Sequence, residues 1–221
     1  LPGPLPYSVM PLKPPLFYRL ARAVIRAVVP IYGGIQISGA ENIPADGPVI
    51  LAPNHRAHVD PPYLALICPR QIYFMGKEEL FHVPILRQII TRVGAFPVRR
   101  GAADRAALRH AVDLLKAGGV VLIFPEGTRS EDGRLGTAEK GFALIARQAN
   151  AVIIPVAIEG TERMLPKGAK LIRRSRVRVT IGKPLTTQAI LDARPHAGKE
   201  SLEIIGAATM SAIADLLHRP G

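Results

Sequence analysis

A histidine and an aspartate, with four residues between them, stand between two apolar runs. Gly47-Pro48-Val49-Ile50-Leu51-Ala52-Pro53 reads as a buried strand, and Asn54-His55-Arg56-Ala57-His58-Val59-Asp60-Pro61-Pro62 follows it. Two prolines then open the apolar run Tyr63-Leu64-Ala65-Leu66-Ile67-Cys68. Proline suits a first helical turn, where its missing N–H is not needed. His55 and Asp60 therefore share a loop from a strand's carboxyl end to a helix, the place where open α/β sheets bind ligands. Across a tight loop the carboxylate can hold the imidazole, which makes a general base with its orienting acid. Asp60 also stands where a helix N-cap belongs, so a purely capping role competes with the dyad. The two roles are compatible, because a capping carboxylate keeps a second oxygen.

Three further apolar runs end in charged residues. Residues 72–75 lead to Lys77, residues 94–98 to Arg99 and Arg100, and residues 120–124 to Pro125-Glu126-Gly127-Thr128-Arg129-Ser130. A parallel sheet would bring all of these ends to one edge with His55. Lys77, Arg100 and Arg129 would then form a phosphate pocket, since guanidinium groups grip phosphate oxygens as a fork. A solvated loop at Arg99 and Arg100, and a local ion pair between Glu126 and Arg129, are the competing readings. The sequence has no G-x-S-x-G elbow, no Walker loop and no G-x-G-x-x-G after a strand. His55, His58 and Asp60 form no H-E-x-x-H helix and no other His or Cys cluster supplies ligands, so no metal site is expected.

The elements that must position these residues alternate along the chain. Strands are expected at residues 35–39, 47–53, 72–75, 94–100, 120–124, 151–158 and 176–182. Pro155 within the sixth of them suggests an edge or a bulge. Helical spacing of apolar residues marks 16–31, 84–93, 104–116, 139–148 and 201–217, and Gly118-Gly119 stops the third of these. The expected class is α/β, a single domain with a mainly parallel, mixed central sheet covered by helices. An N-terminal amphipathic helix precedes it. Residues 1–34 would form a Pro-rich arm and a membrane-interface helix, and residues 35–221 the catalytic domain.

Composition narrows the class. With 221 residues, 48% of them hydrophobic, the chain can bury a sizeable core. A net charge of +12 favours anionic partners, namely nucleic acid, an anionic membrane or phosphorylated substrates. An aromatic content of 5% with no Trp removes the stacking platform that a single-strand nucleic-acid binder needs. Cys68 is the only cysteine, which precludes an internal disulfide and fits a reducing compartment. No secretory signal pattern is found, and the chain begins at Leu1 rather than Met, which leaves room for preceding residues.

Four blocks in order carry a family resemblance. They are Asn54-His55-x4-Asp60, Gly94-Ala95-Phe96-Pro97-Val98-Arg99-Arg100, Phe124-Pro125-Glu126-Gly127-Thr128-Arg129-Ser130 and Ile154-Pro155-Val156-Ala157. In order and spacing they resemble the blocks of the glycerolipid acyltransferases, nearest to the bacterial lysophosphatidic acid acyltransferases, from about Ile35 to Leu185. The resemblance implies transfer of a fatty acyl chain from acyl-CoA or acyl carrier protein to the free hydroxyl of lysophosphatidic acid, giving phosphatidic acid, with no cofactor. Glycerol 3-phosphate or another lysophospholipid is the alternative acceptor. It further implies that His55 is the base, that Asp60 orients it, and that Lys77, Arg100, Glu126, Gly127, Thr128 and Arg129 bind the acceptor. Arg99 departs from the family pattern, which often has Asp there.

The acyl-bearing substrates point to a bilayer. No segment is apolar enough to span one, because Arg19, Arg22 and Arg26 interrupt the best candidate. Those arginines share one arc of the 16–31 helix, opposite Phe17, Leu20, Ala21, Val24, Ile25 and Val28. A helix lying in the interface of an anionic membrane is one reading, and a surface helix packed on its own domain is the other. Lys167, Lys170, Arg173, Arg174, Arg176 and Arg178 form a second basic tract. The expected location is peripheral (monotopic) on the cytoplasmic face of the cell membrane.

Overall fold

Side chains alternate across the apolar strands and so build two cores at once. In the 49–52 strand, Val49 and Leu51 join one cluster while Ile50 and Ala52 join the other. The computed structural model describes residues 14–99, 104–129, 134–166, 169, 171–193 and 200–218. Residues 1–13 of the Pro-rich arm, Arg100, Lys167 and Lys170 lie outside the described residues.

The strands are β1 Ile35–Ser38, β2 Val49–Pro53, β3 Ile72–Lys77, β4 Ala95–Val98, β5 Val120–Leu122, β6 Val152–Glu159, β7 Val177–Ile181 and β8 Leu185–Thr186. The helices are α1 Leu16–Val28, α2 Asp60–Leu64, α3 Pro84–Arg92, α4 Arg105–Lys116, α5 Lys140–Ala149, α6 Thr161–Met164, α7 Thr187–Asp192 and α8 Ser201–Leu217. The sheet order is β1-β7-β6-β2-β5-β3-β4, and β8 is a further partner of β6. β2 to β6 are parallel to their neighbours within that group. β7 runs against β6, and β1 follows β7. The sheet is thus mixed and mainly parallel, as expected. The carboxyl ends of β2, β3, β4 and β5 do share one edge.

One face of the sheet carries Leu64 and Ile67, with Val29 from the turn after α1. The other carries Leu115 of α4, Ile145 of α5 and Ile205 of α8. Ile50, Leu51, Leu122, Ile153 and Ile154 are wholly enclosed between the layers. Burying each such side chain contributes about 1.5–3 kcal/mol. The core therefore holds rigid the strands that deliver the polar residues.

Pro155 corrects one expectation, because β6 is an interior strand. The pyrrolidine has no N–H to offer a ladder. It sits where none is required: β8 pairs Val152 and Ile153, β7 pairs Val156 to Glu159, and Pro155 faces the break between them. Its carbonyl still accepts from Gly182 N–H at 2.8 Å.

The arginine arc of α1 is also corrected. Arg19 and Arg26 are exposed, but Arg22 turns into the domain and donates from Nη2 to Leu66 O at 3.2 Å. Tyr18, one turn earlier, is buried and its hydroxyl accepts from Ile72 N–H at 3.3 Å. Burial pushes the Tyr18 phenol up from its ordinary pKa. The inward face is therefore Tyr18, Arg22, Ile25 and Val29, whereas Phe17, Leu20, Val24 and Val28 are exposed. Among the described residues, no helix is long and apolar enough to cross a membrane.

Candidate active site

The loop after β2 is held by side chains rather than by a ladder. Asn54 extends β2 sideways: its Oδ1 accepts from Ile158 N–H at 2.7 Å and its Nδ2 donates to Ile158 O at 3.0 Å. An amide side chain carries a carbonyl and an N–H side by side and so answers a peptide's donor and acceptor together. The next three N–H groups meet carboxylates. His55 N donates to Glu126 Oε1 at 3.2 Å, and Arg56 N and Ala57 N donate to Asp60 Oδ2 at 2.7 and 2.9 Å.

That same Asp60 oxygen lies 2.8 Å from His55 Nδ1. Asp60 is fully buried and His55 is 7% exposed. The capping role does not materialise: Val59 occupies the N-cap of α2, and Asp60 is the first helical residue with its carboxylate turned back into the loop. Pro61 and Pro62 fill the turn that follows, where no N–H is required. With Nδ1 committed to Asp60, Nε2 is the nitrogen that remains for chemistry. Phe124, just past β5, stacks on the imidazole at 3.8 Å between centroids and 17° between planes. One edge and one face of the ring are thereby fixed.

His55 lines a cleft of about 1410 Å³ beside β3, α1, α2 and α3. Tyr18, Ile25, Phe74, Met75, Ile90 and Leu122 make much of its wall apolar. Lys77, Thr128 and Arg129 line the same cleft, so the structure brings together three of the six residues expected to bind an acceptor. Lys77 is exposed and its Nζ lies 3.0 Å from Glu79 Oε1. The hydrogen bond from Lys77 holds the Glu79 carboxyl below its usual pKa.

The other three have different surroundings. Glu126 is buried and absent from the cleft wall, with Oε1 on His55 N and Oε2 on Gly136 N at 2.9 Å. Its carboxylate thus links the loops after β2 and β5. Gly127 adopts φ +68°, and a Cβ there would stand 2.9 Å from Glu139 Cγ, so the turn requires glycine. Arg100 lies outside the described residues. Arg99 is exposed, with its Nε 3.9 Å from Glu78 and 3.8 Å from Asp104. Sequence reasoning missed the stacking of Phe124 and the presence of Arg56 and His58 in the cleft wall. Phe124 carried a signal, since it ends the most apolar strand next to the Glu126 block.

A buried histidine–aspartate dyad opening on a large, mainly apolar cleft suits acyl transfer to a hydroxyl. The acyltransferase family model matches residues 34–159, which carry the dyad, the cleft strands and Glu126 to Arg129. This chain belongs to the acyltransferase family. Among relatives of this acyltransferase is the 1-acyl-sn-glycerol-3-phosphate acyltransferase of Bacillus subtilis, 32% identical over 170 residues, 76% of this chain and 82% of that one. A chloroplastic 1-acyl-sn-glycerol-3-phosphate acyltransferase of Arabidopsis thaliana is 34% identical over 163 residues, 72% of this chain and 45% of its own length. The acyltransferase therefore spans less than half of that plant relative. The crystal structure of the 1-acyl-sn-glycerophosphate acyltransferase PlsC from Thermotoga maritima superposes with a TM-score of 0.75 at 25% identity, over 92% of this chain and 81% of the other.

Proposed function

We propose that this acyltransferase moves a fatty acyl group from a thioester, acyl-CoA or acyl carrier protein, to the free hydroxyl of lysophosphatidic acid, giving phosphatidic acid. The observation that carries the reading is His55, backed by the buried Asp60, in the wall of an apolar cleft that also holds Lys77 and Arg129. The names of the relatives support the acceptor.

In this mechanism His55 Nε2 takes the proton of the acceptor hydroxyl as its oxygen attacks the thioester carbonyl. The tetrahedral intermediate collapses with loss of the thiolate, which recovers the proton from the imidazolium. Asp60 stabilises that imidazolium and holds the ring. General-base action of this kind contributes roughly 10²–10⁴-fold. Phe124 and the Glu126 bridge keep the ring from rotating away. Lys77 and Arg129 are assigned to the acceptor phosphate, with Thr128 beside them, and Arg100 keeps the same assignment by resemblance. Glu126 and Gly127 serve as positioning residues in this reading rather than as direct ligands. No cofactor is required.

The protein would act as a monotopic enzyme on the cytoplasmic face of an anionic membrane. Phe17, Leu20 and Val24 of α1 are exposed and also line the cleft, so an acyl chain can pass between leaflet and site. Arg19, Arg26, Arg173, Arg174, Arg176 and Arg178 are exposed, and each cation near an anionic surface contributes about 1 kcal/mol. A panel of acceptors offered with acyl-CoA, and again with acyl carrier protein, tests the reading by mass spectrometry of the product. Phosphatidic acid is the expected product. Faster acylation of glycerol 3-phosphate, or of a lysophospholipid with a head group, would transfer the assignment to that acceptor.

A further inference from the structure

The nine-residue helix α3 buries none of its residues. Ile85 is 75% exposed and Ile89 47%, and the turn before the helix adds Leu80 at 43% and Val83 at 52%. A helix on a soluble domain directs its apolar stripe inward. Here, as in α1, one apolar row faces out, Ile85 and Ile89, while Leu86 and Ile90 beside it are half-buried. A contiguous exposed apolar surface marks an interaction site.

The two helices are neighbours. The Arg92 guanidinium of α3 stands over the Phe17 ring of α1, 5.8 Å from its centroid. Both also border the cleft that holds His55, through Leu20 and Val24 on one side and Leu80 and Ile89 on the other. The charge within the two helices has one sign. Residues 16–28 contain Arg19, Arg22 and Arg26, residues 84–92 contain Arg87 and Arg92, and neither segment contains an acid. The acids just before α3 are occupied, Glu78 near Arg99 and Glu79 with Lys77.

We propose that α3 is a second membrane-inserting element, its Leu80, Val83, Ile85 and Ile89 face seated with α1 in the acyl boundary of one anionic leaflet. The partner is a lipid surface rather than a protein, because large aliphatic side chains edged by arginine match acyl chains beneath anionic headgroups. Two helices grip the leaflet on the rim of the cleft, and lipid enters the site from within the leaflet. The inference rests on the membrane-bound reading above and adds to it a helix other than the N-terminal one.

The chain has no tryptophan, so a single introduced one reports its own site alone. Ile85→Trp, Leu20→Trp and Lys116→Trp, the last on the exposed end of α4, are mixed with vesicles of phosphatidylcholine and phosphatidylglycerol carrying bromine on the acyl chains. Blue-shifted, bromine-quenched emission is expected from Ile85→Trp and Leu20→Trp, with neither effect at Lys116→Trp. Quenching at Leu20→Trp alone would overturn the role of α3 while leaving the membrane reading intact. Quenching at neither helix, in active protein, would overturn both. A blue shift at Ile85→Trp induced by acyl carrier protein but not by vesicles would make α3 a protein-docking face and overturn the inference too. Val83→Ser combined with Ile85→Ser removes two exposed side chains outside the cleft wall. It should weaken vesicle partitioning roughly tenfold while leaving turnover on a detergent-dispersed acceptor unchanged. Partitioning equal to wild type would refute the proposal.

Discussion

Replacing Asp60 by asparagine separates the charge of the dyad from its shape. Asp60 Oδ2 receives Arg56 N–H and Ala57 N–H as well as facing His55 Nδ1. An amide –NH₂ placed there would meet two backbone donors, so the amide oxygen must take that position. The Nδ1–H tautomer of His55 is then retained, and the variant loses charge rather than orientation. The displaced –NH₂ goes to the site of Oδ1, which is buried and has no hydrogen-bond partner among the described residues. An unsatisfied buried donor costs about 1–3 kcal/mol of stability. The catalytic loss is larger: a carboxylate and an imidazolium about 4 Å apart attract by about 4 kcal/mol at an effective dielectric constant of about 20. That corresponds to roughly a thousandfold in rate. Turnover of lysophosphatidic acid should therefore fall about that far at a melting temperature lowered by only several degrees. Asp60→Ala should lose as much activity and more stability, because it abandons two backbone donors. A threefold or smaller drop in kcat for Asp60→Asn would show that the carboxylate's charge plays no part in the reaction.

Other expected outcomes are more direct. His55→Ala should remove transfer with the circular dichroism of wild type but a melting temperature lower by several degrees, since it empties a buried site and takes a partner from the buried Asp60 carboxylate. Arg129→Ala should lower kcat/KM for lysophosphatidic acid by roughly ten- to a hundredfold, with no loss on an acceptor without phosphate; equal losses would make Arg129 structural. Gly127→Ala should lower the melting temperature, because a left-handed alanine costs about 1–2 kcal/mol and also crowds Glu139. His110 packs edge-on to Phe96 at 4.8 Å, and burial lowers its pKa against the opposing pull of Asp113. The unfolded chain then binds this proton first, so stability is full above the ordinary value of 6.5 and falls as pH drops through the lowered one. Melting curves of His110→Gln from about pH 7 to 5 should be flatter than those of wild type.

How far the site could be read from sequence depended on the range of each interaction. Strands β2, β5 and β6 are short apolar runs, and their parallel pairing follows once helices separate them. The common edge of His55, Lys77 and Glu126 was therefore legible. So was the His55–Asp60 pair, whose partners sit in one loop. Asn54 is different, because its partner Ile158 is 104 residues away and no local pattern announces it. Glu126 looked like a ligand, since a buried carboxylate serving two backbone N–H groups has the same sequence signature as one serving a substrate. The orientation of α1 was illegible for another reason. Helical spacing gives the relative directions of side chains, not which side meets the domain, and Tyr18 and Arg22 decide that through Ile72 and Leu66. The two-residue strand β8 is too short for periodicity to register.

Residues 54–57 belong to no helix or strand, yet each of their N–H groups is bonded within the protein. Asn54 N–H meets Val156 O, His55 N–H meets Glu126, and Arg56 and Ala57 meet Asp60. Hydrogen exchange with solvent waits for such bonds to open. A segment that is irregular in shape should therefore exchange as slowly as the β2 and β6 strands it hangs from. Its His55 N–H opens only when Glu126, from the loop after β5, lets go of it. On heating, the dyad is expected to loosen together with the sheet rather than before it. Thermal inactivation and thermal unfolding should follow one curve.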